Sequence, residues 1–431
     1  MSEALRLGIA GLGTVGIGVL SLLEEQRALL RQRCGRELVV SAVSSRDPQK
    51  NRGVTLGAEI VWHEDACALA KAANVDVVVE LIGGSDGIAK QVVETALNSR
   101  KHVVTANKAL LAIHGGALAA LAESADRALC YEAAVGGGIP VIKAIREGLA
   151  ANRFDNVYGI LNGTCNYILT SMEKTGVDFN EALSQAQDLG YAEADPSFDI
   201  DGIDTAHKLS LLTSLAYGTH VDYPSVFIEG ISQIGALDIQ FAREFGYRIK
   251  LLGMARRTAH GVEQRVHPCM VPLGTPIAEV SGVTNAVVAV GNYAGQSVFE
   301  GPGAGAGPTA SAVIADIIDI ARKKILPPFA APFSRLERLA PSPMELRHGA
   351  YYVRLTVVDQ PGVMAGITAI MAEHGVSIDS IIQRARAPGE GVPVVIITHE
   401  TEEADMNRVL AQLAALKQMR EPPVRIRIEK L

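Results

Sequence analysis

Residues 5–16 read Leu-Arg-Leu-Gly-Ile-Ala-Gly-Leu-Gly-Thr-Val-Gly, and this stretch decides how the chain folds at its start. Its first half, Leu5–Ala10, is short and mainly apolar and predicts a buried strand. Gly11, Gly13 and Gly16 then form the pattern Gly-x-Gly-x-x-Gly ahead of a helical apolar pattern. A strand, a glycine turn and a helix in this order are typical of dinucleotide binding, because the helix N-terminus faces the pyrophosphate charge. The predicted nucleotide contacts are Gly11, Gly13, Thr14, Val15 and Gly16.

The second predicted strand, Leu38–Val43, bears on the choice of cofactor. In this type of unit, a carboxylate at the end of that strand binds the ribose of NAD, whereas basic residues accommodate the 2′-phosphate of NADP. Here Arg46 and Lys50 follow the strand, and Asp47 between them blurs the signal. The pair favours NADP, with NAD as the alternative cofactor and a solvated basic loop as the alternative role of Lys50.

Two further apolar runs, Val75–Glu80 and His102–Thr105, predict buried strands of the same parallel sheet. Lys108 comes shortly after the second of them, at the carboxyl edge where such sheets bind ligands. It is predicted to lie where the nicotinamide and the substrate meet. An ordinary surface lysine is the alternative interpretation.

Five carboxylates and a lysine crowd into Gly190–Lys208, whose sequence is GYAEADPSFDIDGIDTAHK. The apolar run that follows predicts a helix from about Gly202 to Tyr217, with Asp201 as its N-cap. Asp204 and Lys208 would then lie one turn apart on one face. A structural ion pair beside a solvated acidic loop is the alternative. The density of acids, joined to the nucleotide fingerprint, favours a catalytic site.

This stretch closely resembles the signature of homoserine dehydrogenases, and Thr-Ala-Asn-Lys at residues 105–108 resembles another part of that pattern. The resemblance implies NAD(P)H-dependent reduction of L-aspartate 4-semialdehyde to L-homoserine, in the biosynthesis of threonine and methionine. No kinase-like segment precedes the glycine fingerprint, so the monofunctional form is expected.

Site roles follow from joining the residues to this resemblance. Lys208, oriented by Asp204, is expected to stabilise and protonate the oxygen of the reduced aldehyde. Lys108 is expected to hold substrate and cofactor in register. Glu193 would suit the substrate ammonium group, and Asp199 would shape the rest of the site.

A glycine run at 136–138 must serve close backbone approach or carbonyl display, because it stabilises neither helix nor strand. A hinge between domains is the alternative. The resemblance implies a monovalent cation such as Na⁺ here, held by the Glu132 side chain and by carbonyl oxygens, which suit hard cations. The expected carbonyl ligands are those of Val135, Gly137 and Ile139.

A second glycine-rich segment, Glu300–Ser311, leads into an apolar helix predicted over Ala310–Lys323. Flexible linkers rarely run into so apolar a helix. The chain is therefore expected to return to the nucleotide unit here. The resemblance implies cofactor contacts in this segment, at Gly303 and Gly305.

Five prolines between residues 327 and 343 predict a linker. The patterns beyond it predict the order βαββαβ of a ferredoxin-like unit, including a strand Ile378–Arg386 and a loop from Pro388. With Asp359–Val363 this unit resembles an ACT domain, which commonly senses amino acids. The expected effector is L-threonine, and a chain ending near Pro341 is expected to stay active without inhibition. Homodimers or homotetramers are expected.

The predicted fold class is α/β, with three domains and one linker. These are a Rossmann-like dinucleotide-binding domain at 1–135 completed by 305–325, an α+β catalytic and dimerisation domain at 136–304, a linker at 326–349 and an ACT regulatory domain at 350–431.

Composition excludes several classes of function. The net charge of −7 offers no basic face for nucleic acid, and no apolar run reaches the length of a membrane span. No export leader is evident at the N-terminus. The five cysteines are scattered and odd in number, which predicts reduced thiols in the cytoplasm.

Two other functions stay open at this stage. Cys165 could be the nucleophile of a thioester-forming aldehyde dehydrogenase, although no histidine lies nearby in the sequence. Alternatively, the nucleotide and ACT units could only bind ligands, as in a non-catalytic amino-acid sensor. That reading gives no reason for an acidic loop with its lysine.

Overall fold

The computed structural model describes residues 3–384 and 390–431 and is built around two sheets. The elements of the first region are β1 (Leu5–Ala10), α1 (Thr14–Glu25), α2 (Arg27–Cys34), β2 (Leu38–Ser44), β3 (Val61–His63), α3 (Ala66–Lys71), β4 (Val77–Glu80), α4 (Ile88–Asn98), β5 (His102–Thr105), α5 (Lys108–Ala125) and β6 (Leu129–Cys130). The six strands are parallel in the order β3-β2-β1-β4-β5-β6. The order reverses beside β1, which places a ligand crevice at the carboxyl ends of β1 and β4. The predicted Rossmann-like sheet is confirmed.

The second region carries the acid-rich stretch. Its elements are α6 (Val141–Lys143, continued by a π-helical turn at Ala144–Gly148), β7 (Phe154–Ile160), α7 (Gly163–Thr175), α8 (Phe179–Asp188), α9 (Ser197–Ile200), α10 (Ile203–Tyr217), β8 (Phe227–Ile228), α11 (Ala236–Glu244), β9 (Tyr247–Thr258), β10 (Gly261–Pro272), α12 (Pro276–Glu279), β11 (Thr284–Gly291), β12 (Gly295–Pro302) and α13 (Ala306–Ala321). The long strands pair in the order β12-β11-β7-β9-β10. Helix α10 is buried against them. A Cβ on Gly253 of β9 would lie 3.1 Å from the Thr205 side chain, so glycine allows this close packing.

The predicted N-cap of α10 is wrong. The helix begins at Ile203, and Gly202 occupies the N-cap position with φ +85°, in the left-handed region that favours glycine. Asp201 instead ends the short helix α9, where its N–H donates to Ser197 O. A tight turn between two helices therefore replaces the expected side-chain cap.

Helix α13 returns the chain to the nucleotide-binding sheet, as predicted. Val313 and Ile317 pack in one core with Leu7 and Ile9 of β1. The helix begins at Ala306, four residues before its predicted start at Ala310. The glycine loop therefore leads straight into it.

The C-terminal region consists of β13 (His348–Val358), α14 (Val363–Glu373), β14 (Ile378–Ile382), β15 (Gly391–Thr398), β16 (Thr401–Glu402), α15 (Glu403–Ala414) and β17 (Val424–Ile428). The order β17-β13-β15-β14, with antiparallel neighbours, is ferredoxin-like and confirms that prediction. The strand that begins at Ile378 ends at Ile382. The predicted strand end at Arg386 and the start of the predicted loop at Pro388 lie outside the described residues.

The C-terminal region is joined to the sheet of the second region, which the sequence did not indicate. Strand β17 pairs in parallel with β10, with Cys269 opposite Arg427. The strands of the second region and those of the C-terminal region therefore form one sheet of eleven strands. Two ion pairs line this seam: the buried pair of Arg265 with Glu429 at 2.5 Å, and Arg427 with the half-buried Glu229 at 2.9 Å. A chain ending near Pro341 would lack β17 and Glu429, so the edge of β10 would be uncovered and Arg265 would keep Glu263 as its partner. That such a chain stays active without inhibition remains a prediction.

The proline-rich segment before this region is packed rather than free. Phe329 and Leu336 are buried. The Glu337 carbonyl accepts from His220 N at 3.0 Å, and the Ala340 carbonyl accepts from Val262 N at 2.9 Å. The segment thus lies along the second region.

Among the described residues, no helix has the length and apolar character needed to cross a membrane.

Candidate active site

The glycine turn after β1 has the geometry that a dinucleotide needs. Gly11 has φ +106°, and a Cβ there would lie 2.5 Å from the Leu81 carbonyl oxygen. A Cβ on Gly16 would lie 2.2 Å from the Gly11 carbonyl oxygen, whereas one on Gly13 would meet nothing within 4 Å. Gly11 and Gly16 are therefore required by the fold, and Gly13 leaves space. Thr14 and Val15 begin α1, whose N–H groups face that space.

The two glycine-rich segments lie against each other beside this turn. A Cβ on Gly137 would lie 2.2 Å from the Gly303 carbonyl oxygen, and Gly138 N donates to Pro302 O at 3.1 Å. A Cβ on Gly18 of α1 would lie 2.6 Å from the Ala306 carbonyl oxygen. The loop that holds Gly303 and Gly305 is therefore close to α1.

Asp204 is bound by two lysines from different parts of the chain. Its Oδ2 lies 2.7 Å from Nζ of Lys208, one turn along α10, as the spacing predicted. Its Oδ1 lies 2.9 Å from Nζ of Lys108, the first residue of α5. The contact with Lys108 brings α10 to the carboxyl edge of the parallel sheet. Lys208 also donates to the Leu161 carbonyl at 2.7 Å.

The pKa values of these groups differ because their surroundings differ. Burial alone would raise the pKa of Asp204, but the two lysine charges hold it well below its usual range. Burial lowers the pKa of Lys208, only partly opposed by Asp204. For Lys108, burial is outweighed by Asp204, and its pKa is raised. Lys208 is therefore the readier proton donor of the two lysines.

Asn162 is a site residue that sequence reasoning missed. It follows β7 and its Nδ2 donates to Asp199 Oδ1 at 2.7 Å and to Asp204 Oδ2 at 2.9 Å. The only signal available was its place at a strand end before Gly163-Thr164-Cys165. Burial raises the pKa of Asp199, and the charge of Asp204 adds to this.

Phe198 and His207 were also missed. The Lys108 ammonium lies 5.7 Å from the centre of the Phe198 ring, within the range of a cation–π contact. The His207 ring lies 5.6 Å from Phe198 and 4.3 Å from Tyr223. An aromatic wall therefore borders the lysine pair.

The predicted substrate ligand Glu193 is exposed on the loop before α9. Its charge contributes to the raised pKa of Lys108, which places it near that ammonium. The loop backbone is held by Gln187, whose amide donates to the Glu193 carbonyl at 3.1 Å. Because the Glu193 side chain is exposed, it is accessible to a ligand.

The basic residues after β2 lie on the surface. Arg46 and Lys50 are exposed, whereas Arg52, which sequence reasoning missed, is half-buried. Arg52 donates to the Leu12 carbonyl at 3.3 Å and to Ser45 Oγ at 3.0 Å. It therefore ties this loop to the glycine turn.

Glu132 has a buried carboxylate. Its oxygens accept from Ile142 N at 2.8 Å and Lys143 N at 2.9 Å. Burial, together with the charge of Asp316, raises the pKa of Glu132 to about 7. The predicted carbonyl ligands lie in the turn between Glu132 and α6.

Cys165 does not have the surroundings of a nucleophile. It is fully buried, and its Sγ donates to the Asp199 carbonyl at 3.2 Å. Burial raises its pKa well above the ordinary value, helped by the neighbouring carboxylates Asp199 and Asp204. A reactive thiolate needs the opposite surroundings.

Another buried group, His267, Cys269 and Glu429, brings potential metal ligands within 4.8 Å of one another at the seam. Arg265 donates to Glu429 and faces His267 Nε2 at 2.8 Å, and Arg347 also contacts Glu429, at 2.7 Å. Guanidinium groups thus occupy the side where a cation would bind. The group is an ion-pair network.

A dinucleotide crevice whose edge meets a buried lysine–carboxylate pair defines a nicotinamide-dependent dehydrogenase. Family models agree: "Homoserine dehydrogenase, NAD binding domain" matches residues 11–132, "Homoserine dehydrogenase" matches 140–318 and "ACT domain" matches 351–418. The chain belongs to the homoserine dehydrogenase family, and it is an NAD(P)-dependent oxidoreductase.

Two relatives match this chain over nearly its full length, and a third matches about three quarters of it. A homoserine dehydrogenase of Pseudomonas aeruginosa is 44% identical, covering 100% of both chains. The crystal structure of one from Thiobacillus denitrificans superimposes with a TM-score of 0.93 at 41% identity, covering 99% of each chain. A hyperthermophilic archaeal homoserine dehydrogenase in complex with NADPH has a TM-score of 0.64 at 26% identity, covering 74% of this chain and 98% of that one.

Proposed function

We propose that the site reduces L-aspartate 4-semialdehyde to L-homoserine, and catalyses the reverse oxidation, with Lys208 as the proton donor. One observation carries this assignment: Asp204 binds Lys208 and Lys108 through its two oxygens at the edge of the dinucleotide crevice. The relatives described above establish the family of this chain. The roles of Lys208, Asp204 and Lys108 are what we propose.

The reaction uses the third donor of Lys208. An ammonium group has three N–H donors, and the contacts with Asp204 and Leu161 use two of them. When bound, the nicotinamide supplies the hydride that reduces the aldehyde carbon. Negative charge then develops on the aldehyde oxygen, and the remaining N–H of Lys208 stabilises and protonates it. Asp204 fixes the direction of that donor and remains an anion throughout.

Lys108 and the acids of the loop bind the rest of the substrate. Lys108 is 34% exposed and Lys208 is 9% exposed, so the Lys108 ammonium is the more accessible of the two from the crevice. We assign to Lys108 the role of holding the substrate and the nicotinamide in register. Glu193, exposed nearby, binds the substrate ammonium group, and Asp199 shapes the wall between them.

NADP is the proposed cofactor. Arg46 and Lys50 are exposed after β2, at the place where a 2′-phosphate lies in such units, and Arg52 fixes their loop. The archaeal relative was solved with NADPH. Gly303 and Gly305 lie near α1, which supports their proposed contacts with the cofactor.

The residues around Glu132 fit a hard monovalent cation such as Na⁺. Each of its carboxylate oxygens accepts one N–H, and the Ile139 carbonyl accepts one from Val141 at 2.8 Å. Each of these oxygens keeps a lone pair. With Val135 and Gly137 they would hold the cation and fix the crossover between the two regions.

Regulation by L-threonine, assembly into homodimers or homotetramers, and a cytoplasmic location complete the proposal. The ACT region supports an amino-acid effector, bound where its Gln360–Val363 turn meets a second subunit. The five cysteines are free thiols, which suits a reducing compartment. The proposed domains are a dinucleotide-binding domain at 1–135 completed by 305–325, a catalytic and dimerisation domain at 136–304, a linker at 326–349 and an ACT domain at 350–431.

The test is a spectrophotometric assay with L-homoserine and either NADP⁺ or NAD⁺ at alkaline pH. We expect cofactor reduction without added phosphate or coenzyme A, and no loss of activity after thiol alkylation of the folded enzyme. Turnover that requires such an acceptor would support the thioester mechanism at Cys165 instead. Binding of both ligands without turnover would support the sensor.

A further inference from the structure

The Asn162 side chain makes three hydrogen bonds to residues at the candidate site. Its Nδ2 donates to Asp199 and to Asp204, at 2.7 and 2.9 Å, and its Oδ1 accepts from Cys165 N at 2.8 Å. The side chain is 5% exposed. We propose that Asn162 is a positioning residue of the dehydrogenase reaction, which clamps the two carboxylates so that Asp204 stays between the lysines. This inference rests on the proposed function.

The orientation of the amide follows from its partners. Two carboxylates can only accept hydrogen bonds, so the NH₂ end must face them. The oxygen then faces the first turn of α7, where it satisfies an N–H that the helix itself leaves without a partner. The cap thus fixes the rotation of the side chain, and the rotation aims both donors at Asp199 and Asp204.

A neutral donor suits this position better than a cation would. Asp199 and Asp204 repel each other when both are charged, and the charge of Asp204 helps to raise the pKa of Asp199. The Asn162 bond acts in the opposite direction and lowers that pKa. A lysine or arginine here would compete with Lys208 for Asp204. The amide stabilises both anions and leaves Asp204 to the two lysines.

Leu161, the residue before Asn162, holds Lys208, the other member of the Asp204–Lys208 pair. The Leu161 carbonyl accepts from Lys208 Nζ at 2.7 Å, while Asn162 holds the carboxylate that Lys208 contacts. Two consecutive residues directly after β7 therefore position both the proton donor and its orienting anion. A displacement of this strand end would move both groups together.

The test separates the clamp from the helix cap. Serine caps helices about as well as asparagine but has no second donor, so Asn162→Ser keeps the cap and removes the clamp. We expect kcat for L-homoserine oxidation to fall about 10- to 100-fold, as loss of hydrogen bonds to a charged group should cause, with unchanged NADPH affinity. The matched control is Asp178→Ser, which replaces another N-cap, on α8, away from the site. It should behave as the wild type.

Non-additivity supplies the second readout. If Asn162 acts by holding two negative charges together, its loss matters less once Asp199 is neutral. The loss caused by Asn162→Ser should therefore shrink about 5-fold or more in an Asp199→Asn background. A role confined to the cap predicts the same loss in both backgrounds. Should Asn162→Ser fail to fold, Asn162→Asp is the second variant, since it keeps the helix cap and the side-chain volume. It adds a third carboxylate beside Asp199 and Asp204, so its kcat should fall below the value expected for Asn162→Ser.

The outcomes are distinct. Kinetic constants of Asn162→Ser within twofold of wild type, equal losses in both backgrounds, or wild-type turnover of Asn162→Asp would each overturn the role of Asn162. Absence of wild-type turnover with L-homoserine contradicts the proposed function itself. The two failures are therefore separated by the wild-type enzyme in the same assay.

Discussion

The ammonium of Lys108 lies 2.9 Å from Oδ1 of Asp204, so the nucleotide-binding sheet and the catalytic helix α10 meet at one carboxylate. The other oxygen of Asp204 holds Lys208 at 2.7 Å. Because Lys108 helps to keep Asp204 ionised, a movement between the two regions changes the electrostatic surroundings of Lys208. The charge of Lys108 also contributes to the lowered pKa of Lys208.

Glu193→Gln should raise KM for L-homoserine about 10-fold and leave kcat little changed, because a hydrogen bond between charged groups is lost from substrate binding. The control is Asp195→Asn, which removes a carboxylate of the same loop that binds Ser197. Steady-state kinetics of both variants decide the matter. An unchanged KM in Glu193→Gln would move the ammonium contact to another acid.

Arg46→Ala should weaken NADPH binding more than NADH binding, because only NADPH carries the 2′-phosphate. Arg52→Ala is the comparison, since Arg52 holds the loop against Leu12 and its loss should weaken both cofactors. Fluorescence titration of each reduced cofactor gives the four affinities. Equal losses for both cofactors in Arg46→Ala would mean that Arg46 does not meet the 2′-phosphate.

Sodium ions should raise the melting temperature more at pH 8 than at pH 6. The pKa of Glu132 is raised to about 7, so its carboxylate is largely protonated at pH 6 and must lose that proton to bind a cation. Melting is compared in sodium and choline chloride at equal ionic strength. Glu132→Gln should abolish the difference. A sodium effect that is equal at both pH values, or persists in the variant, argues for another site.

L-Threonine should inhibit the full chain, and Glu229→Gln should weaken that inhibition about 5-fold or more, within the usual range of coupling free energies. Glu229 pairs with Arg427 of the ACT region at 2.9 Å, and Ile231 N donates to Ile200 O at 2.9 Å, just before α10. Inhibition curves of the variant and the wild type are the measurement.

The control for this experiment is Glu400→Gln, which removes an exposed ion pair with Lys430. It should be inhibited as the wild type is. An enzyme indifferent to millimolar threonine leaves the tail structural, or responsive to another amino acid. Inhibition unchanged in Glu229→Gln would mean that coupling does not pass through this ion pair.

The features that the sequence predicted well are local ones. The glycine turn follows from steric limits at Gly11 and Gly16, and the Asp204–Lys208 pair follows from helical spacing. The contact between Lys108 and Asp204 could not be predicted, because it depends on how two regions pack.

The same reason explains the other omissions. The pairing of β17 with β10 requires knowing which sheet edges remain free, and hydrophobic patterns do not show this. The role of Asn162 depends on Asp199 and Asp204, which are distant in sequence. Asp201 was misassigned because two cap signals are adjacent, and the left-handed conformation of Gly202 prevailed.

The most direct test of the account is the turnover of Lys208→Ala with L-aspartate 4-semialdehyde and NADPH. We expect kcat to fall about 100-fold or more, as loss of a general acid should cause, while NADPH affinity barely changes. Lys90→Ala changes a lysine of α4 that pairs with Glu94 at 3.9 Å; it is the control and should keep wild-type activity. Wild-type-like turnover in Lys208→Ala would contradict the account, because the proton would then come from another group.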